Sequence, residues 1–211
     1  MKLLHYLIYI FLFITIFFAK LGYAQELLYG QEAFTKIFLN IKTNINKKTS
    51  YVEQKYFKEN DVLLKSSGHL VFLENNALLF AQHEPFNLTV VMTDDRIMEI
   101  LDEEKNILNK DNKPLIFNFT NLIFRLYNHD SNLYKDFDSQ LQIDNNTFKL
   151  VLKPLDPLLK SLILSLEIIG QDEVKSIVIS MQNGDYTKID FTDFVNLSPQ
   201  DEKHWKTYLE F

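Results

Sequence analysis

The chain of 211 residues has no cysteine, only five glycines and five prolines, and fewer basic than acidic residues, 22 against 28. Without cysteine there is no disulfide framework, no thiol nucleophile and no thiolate metal site. The same absence removes a lipidation cysteine, so the protein is not expected to be itself a lipoprotein. Five glycines could hardly build a phosphate-cradling loop or a dinucleotide fingerprint, and neither motif is present. The scarcity of glycine and proline also leaves no flexible linker, so one compact domain is expected. The acidic balance argues against nucleic acid as a partner, because that needs a basic footprint.

One long hydrophobic run is present, at the N-terminus. Met1-Lys2 precedes an almost wholly apolar stretch from Leu3 to Phe18, broken by His5 and Thr15. Gly22-Tyr23-Ala24 places small residues at the −3 and −1 positions of a cleavage site. This is the pattern of a secretory signal peptide, and the run falls short of the roughly 20 residues that span a bilayer. Residues 1–24 are therefore expected to be removed after Ala24. Residues 25–211 are expected to form a single exported domain with net charge −8, from 20 basic and 28 acidic residues. No later run approaches a membrane-spanning length, so this domain is expected to be soluble.

Hydrophobic periodicity organises the rest. Phe34, Ile37, Phe38, Ile41 and Ile45 recur at three and four residues, which predicts an amphipathic helix over 31–46. After Thr49 the period becomes two. Strands are predicted around 51–57, 69–73, 77–82, 87–93 and 96–101, joined by short Asn-, Asp- and Pro-containing turns. Leu115, Ile116, Phe119, Leu122, Ile123 and Leu126 return to helical spacing, with Pro114 at an allowed first position. Strands resume at 137–143, 147–153, 162–169, 174–181 and 186–191. Asn183-Gly184 is the strongest hairpin signal. A last strand is expected over 205–211. About eleven antiparallel strands in one domain predict a strongly curved sheet, closed or partly open as a barrel, with helices at the start and middle.

Catalytic signals are missing. No zinc-protease or serine-hydrolase motif occurs. His69, His83, His129 and His204 are not within four residues of one another, so no local metal pair exists. The acidic pairs Asp94-Asp95 and Glu103-Glu104 fall at strand connections, where solvated turn residues are expected. No catalytic residue, metal or cofactor is expected, and the protein is read as a non-enzyme. What stands out is apolar content on both sheet faces, as in Leu78-Leu79-Phe80. Either helices pack over the sheet, or the interior accepts a long apolar ligand.

Ser50-Tyr51-Val52-Glu53-Gln54, Ser67-Gly68-His69-Leu70-Val71-Phe72, Leu152-Lys153-Pro154 and Asp185 to Phe191 follow one another in an order that, across nearly all of residues 25–211, resembles the periplasmic outer-membrane lipoprotein carrier family (LolA-like). An N-terminal helix is followed by Ser50-Tyr51-Val52-Glu53-Gln54, similar to the family's aromatic-x-x-Gln strand. Ser67-Gly68-His69-Leu70-Val71-Phe72 is similar to its Ser-x-Gly-x-Leu hairpin, with Phe80 at the usual aromatic of the second strand. Pro85, Thr93-Asp94-Asp95-Arg96, Leu152-Lys153-Pro154 and the closing stretch from Asp185 to Phe191 with Asn196 also resemble family elements.

The resemblance implies a half-open antiparallel barrel with helices as a lid over an apolar cavity. It implies a monomeric periplasmic carrier that binds acyl chains of lipoproteins. Cargo would come from an inner-membrane exporter and pass to an outer-membrane acceptor. Leu70, Phe72, Leu78, Phe80, Val90, Met92, Leu150, Leu152, Ile177 and Ile179 are the expected wall. Phe119, Leu122 and Ile123 are the expected lid contacts. One departure matters. Where the family has Arg-Pro after the Gly-x-Leu strand, with the arginine linked to lid closure, this chain has Glu74-Asn75. A carboxylate cannot donate to helix carbonyls as a guanidinium does. This favours a divergent member, such as one serving export of another lipid or a lipid-linked pigment. An envelope scaffold with a filled barrel is the alternative of another class. A secreted hydrolase would need a cluster of distant residues with no local sign. An outer-membrane barrel fails because the strands are short and carry charges such as Lys175 and Lys188.

Overall fold

The computed structural model describes residues 26–209, apart from 41–44, 75–76, 94–95, 103, 109–116, 118–120, 123, 127, 129, 131, 193 and the side chains of 39 and 40. The expected signal peptide and its expected cleavage site lie outside the described residues. Chain order begins with β1 (Glu26–Tyr29) and α1 (Gly30–Asn40). Then come β2 (Lys47–Phe57), β3 (Val62–Leu73), β4 (Ala77–Glu84), β5 (Leu88–Met92), β6 (Ile97–Leu101) and β7 (Glu104–Leu108). Phe117, Asn121, Leu122 and 124–126 are helical. A 3₁₀ turn at Leu133–Lys135 leads into β8 (Phe137–Asp144), β9 (Thr147–Pro154) and the short α2 (Pro157–Leu162). The chain continues through β10 (Ile163–Gly170), β11 (Val174–Met181), β12 (Tyr186–Phe191), β13 (Val195–Asn196) and α3 (Pro199–Lys206).

All thirteen strands described form one antiparallel sheet. Its order is β1-β8-β9-β10-β11-β12-β2-β3-β4-β5-β6-β7, and β13 adds to β2. Among the described residues β1 and β7 do not pair, so the sheet stays open. It is nevertheless curved, because one apolar cluster draws on strands from both edges. Leu28 of β1 and Leu108 of β7 contribute to it together with Leu70, Leu141, Leu166 and Ile177. Ala33, Phe34 and Ile37 of α1, with Leu122, Leu126 and Leu133, pack into the same cluster. The arrangement is a half-open antiparallel barrel with helices over its concave face.

Four local expectations are corrected. The expected helix over 31–46 does not reach its end: it is described over Gly30–Asn40, residues 41–44 lie outside the described residues, and Ile45-Asn46 form a turn in which Ile45 is 63 % exposed. Asn46 takes a left-handed φ of 53° and exchanges hydrogen bonds with Glu74, which redirects the chain into β2. β1, β7 and β13 bring the strand number above the expected eleven. The expected strand at 162 starts one residue later, because Asp156 caps α2 by accepting from the Leu159 N–H. Where a strand is expected over 205–211, the described residues to Leu209 are helical, as the end of α3 and a 3₁₀ turn at Thr207–Leu209. Ser198 caps α3 by accepting from the Asp201 N–H, and Pro199 sits at its first turn.

The two-faced apolar runs now have a cause. Leu70 and Phe72 point into the concave cluster, while Val71 and Leu73 join a second cluster on the convex side. That second cluster contains Ala77, Leu79, Ala81, Val91 and Met98 and is capped by Trp205. The period of two sends alternate residues to opposite faces, and here both faces are covered.

Candidate functional site

The concave face carries the candidate site. Leu70, Phe72, Leu78, Met92, Leu150, Leu152, Ile177 and Ile179 are buried in its cluster, and Phe80 and Val90 pack against it half-buried. The predicted wall residues thus share one face. Leu122, predicted for the lid, is buried in the same cluster, while Phe119 and Ile123 lie outside the described residues. Phe117 and Phe124, not singled out in the sequence, pack there as well.

This face continues beyond the packed interior. In β2, Tyr51 and Glu53 stand opposite Phe191 and Ile189 of the cluster, so odd positions of β2 face the concave side. Lys55 pairs with Leu64 and Phe57 with Val62 further along the same row. Phe57, Val62 and Leu64 are exposed. The registers place Phe86, Leu101, Leu155, Leu158 and Leu164 at this same end of the sheet. With Leu63, nine of the fifteen exposed large apolar side chains among the described residues gather there. Scattered single exposed apolar residues are ordinary, but a gathering at one end marks an opening or a contact site.

Polar groups interrupt the row. The Glu53 carboxylate accepts from the Ser66 hydroxyl at 2.8 Å and lies 3.1 Å from the Lys55 ammonium. Tyr51 packs edge-on against Phe80 at 5.7 Å. Burial, and next the Glu53 charge, push its phenol well above the usual tyrosine range.

Glu74 sits away from this face. It exchanges hydrogen bonds with Asn46 and lies 3.8 Å from Lys206 of α3. The helical residues over the concave face are tied by another arginine. Arg125 Nε donates to Asp130 at 2.6 Å, and a terminal guanidinium nitrogen donates to Asp136, which immediately precedes β8. The Asn132 N–H and then Arg125 hold the Asp130 carboxyl below its ordinary range. On the other side, buried Ser139 of β8 donates to the Gly30 carbonyl at the start of α1. Sequence reasoning missed Arg125. Its signal was a lone arginine on the predicted middle helix with Asp130 and Asp136 downstream, a pairing that only the turn brings together.

A separate hollow of about 670 Å³ lies on the convex side, between β4–β6 and α3. Gln82, His83, Asn87, Thr89, Asp102, His204 and Tyr208 line it over a floor that includes Trp205. His83 meets the His69 ring at 5.1 Å. Burial is the main cause that lowers the His69 pKa, with His83 and Lys48 adding to it. Among the described residues no group of three His, Asp or Glu could hold a metal ion. None of the described helices is long and apolar enough to cross a membrane.

No protein-family model matches the chain, and no curated relative matches it. Solved structures do. The chain is similar to a LolA superfamily protein from Nitrosomonas europaea, at 9 % identity over 86 % of this chain and 99 % of that one, with a TM-score of 0.47. It is similar to a DUF1329 family protein from Desulfovibrio piger, at 11 % identity over 83 % and 96 %, with a TM-score of 0.49. It is also similar to a domain from Vibrio parahaemolyticus provisionally named an outer membrane lipoprotein-sorting protein. That match has 9 % identity over 85 % and 97 %, with a TM-score of 0.46.

Proposed function

We propose that this chain is a divergent LolA-like periplasmic carrier, which binds acyl chains of lipoproteins or related lipids on its concave face and moves them towards the outer membrane. The observation that carries this reading is the apolar concave wall of an open sheet. It is covered by helical segments rather than closed by strand pairing, and it continues into an exposed apolar row at one end. An acyl chain in water loses about 0.8 kcal/mol of burial for each methylene, so several chains need an apolar container. Release requires that the empty and loaded states lie close in free energy. Side chains of α1 and of the helical residues near 122 fill the wall when cargo is absent. Cargo would take over those contacts as the helices move out. No covalent step is required. The partners of such a carrier would be an inner-membrane exporter and an outer-membrane acceptor, with the protein itself monomeric. The Glu74 position favours a cargo other than the housekeeping lipoproteins, such as another lipid or a lipid-linked pigment.

Uptake of a fluorescent acyl probe by the purified domain tests this, with native mass spectrometry of gently extracted protein. Saturable binding at one molecule per chain is expected. A second reading, an envelope scaffold with a filled barrel, is favoured by the tight burial of the concave cluster. It predicts no uptake and no bound lipid.

The arginine tether makes a further prediction. Arg125 and its two aspartates are partly exposed, so each pair is worth well under the value of a buried bridge. Together they hold the cover by about 1 kcal/mol. Arg125→Ala should speed acyl uptake about fivefold, measured by stopped flow, with little change in Tm. The Asp130 pKa is depressed, so its contribution is complete above the ordinary carboxylate value of 3.8 and is lost as pH falls through the lower folded value. Wild-type uptake should therefore be flat from pH 8 to 5 and accelerate only in stronger acid. An equal rate for Arg125→Ala and wild type would remove the tether from the mechanism.

A further inference from the structure

We infer that Tyr51 and the neighbouring Glu53–Lys55–Ser66 cluster form a head site for a neutral acyl ester or amide, whose chain enters the concave interior first and whose head points to the β2–β3 hairpin. This rests on the carrier reading and adds the class and orientation of the cargo.

Tyr51 is 5 % exposed, and its hydroxyl makes no hydrogen bond among the described residues. Buried tyrosine hydroxyls usually find a partner, because an unmet polar group away from water costs free energy. On its own strand pair Tyr51 faces Gly68, which has no side chain to answer it. On the other side it faces Phe191, and its ring meets the edge of Phe80. An orphan donor on a wall of aromatic and aliphatic groups is a place for an acceptor brought by a ligand.

The order of groups along the face sets the chemistry. Moving outward from the apolar cluster, the row reads Tyr51, then Glu53 with Ser66, then Lys55 beside Leu64, then Phe57 with Val62. The polar group nearest the apolar interior, and so nearest the first polar atom of a seated cargo, is thus a single neutral O–H. Its raised pKa keeps it a donor throughout the physiological range. A carbonyl oxygen accepts one such bond. A cation or a methyl cannot accept it. A free carboxylate could, but it would stand near Glu53, whose charge already acts on the phenol. Among neutral head groups of acyl cargo the ester or amide carbonyl is the strongest acceptor that fits both constraints, an ether oxygen being a weaker one. The polar remainder of the head then meets the Lys55 ammonium, which is half exposed and able to turn towards it.

Three probes of equal chain length test this with the exported domain. The first is a lauroyl chain joined to a fluorophore by an amide. The second is a dodecyl chain joined to the same fluorophore by an ether. The third is free lauric acid, read by competition. Tyr51→Phe should weaken the amide probe about fivefold, the scale of one net hydrogen bond, and change the ether probe less than twofold. Its Tm should be unchanged or higher, since it removes an unpaired buried hydroxyl. Glu53→Gln should strengthen lauric acid severalfold against the amide probe. Equal effects of Tyr51→Phe on the amide and ether probes would overturn the head site while leaving the carrier intact. A drop in Tm of several degrees would overturn it too, by showing that the hydroxyl has a partner in the protein. No binding of any probe by the wild type would overturn the carrier reading and the head site together.

Discussion

Trp205→Ala is expected to lower the Tm by on the order of 10 °C and to make the domain prone to aggregate, while acyl uptake per folded molecule stays the same. Trp205 is the only tryptophan, is 6 % exposed, and anchors α3 to the convex face of β3–β6. Tryptophan-to-alanine changes in cores cost about 3–5 kcal/mol. In a domain of this size each kcal/mol shifts Tm by roughly 2–4 °C. The remaining hold is partial: Leu197, Tyr208 and Leu209 pack half-buried against the same cluster, and Lys48–Asp201 at 3.0 Å and Lys206–Glu74 at 3.8 Å are partly exposed pairs. With the helix loosened, Val71, Leu73, Leu79, Val91 and Met98 would meet water as one apolar patch. Concave-side binding should survive, because none of these residues belongs to that cluster. Differential scanning calorimetry and light scattering read the first two outcomes. A Tm within 2 °C of wild type would show that α3 does not cover this face in solution.

Gly68→Ala should cost as much or more, by a different route. A Cβ at Gly68 would stand 2.1 Å from the Ala81 carbonyl oxygen and 2.7 Å from the Gln82 Cα. Both are backbone atoms, so no side-chain rotation relieves the clash. The β3–β4 register shifts between Ser67 and Gly68, opposite Glu84 and Gln82, and the strands approach closely at this irregularity. β4 would have to retreat, which breaks the ladder beside Tyr51. Overpacking a well-packed site costs about 1–3 kcal/mol and occasionally more. With loss of ladder bonds the expected fall is about 3 kcal/mol, again near 10 °C in Tm. Binding should weaken as well, because Tyr51 pairs with Gly68. Urea denaturation with the acyl probe present separates the two effects. A stable Gly68→Ala protein with normal probe binding would show that β4 yields easily.

Both substitutions touch places where reading the chain and seeing the fold part company. Gly68 belonged to a recognisable Ser-x-Gly-x-Leu element, but its reason is a backbone approach that no local pattern displays. Trp205 lay in a run read as a strand. Ser198-Pro199 was a legible helix start, and Trp205, Tyr208 and Leu209 have helical spacing. The strand reading missed both signals. Tyr51 was visible as part of a strand motif, yet its lack of a partner depends on Gly68, Phe80 and Phe191 arriving from three other strands. Arg125 needed the turn at 130–136 to acquire its two aspartates.

The absence of cysteine, the scarcity of glycine and the period-two runs by themselves determined an antiparallel sheet with hairpin turns, helices at the start and middle, and no thiol chemistry. Those are local properties, set by which side chains recur at which spacing. Tertiary structure alone decided which face is which. β12 pairs back to β2 and β1 to β8, across separations that no turn signal encodes. Those crossovers curve the sheet, gather Leu70, Leu150 and Ile177 on one side, and leave Val71 and Leu79 for α3 on the other. Alternation says only that two faces exist. Long-range pairing is what makes one of them an interior.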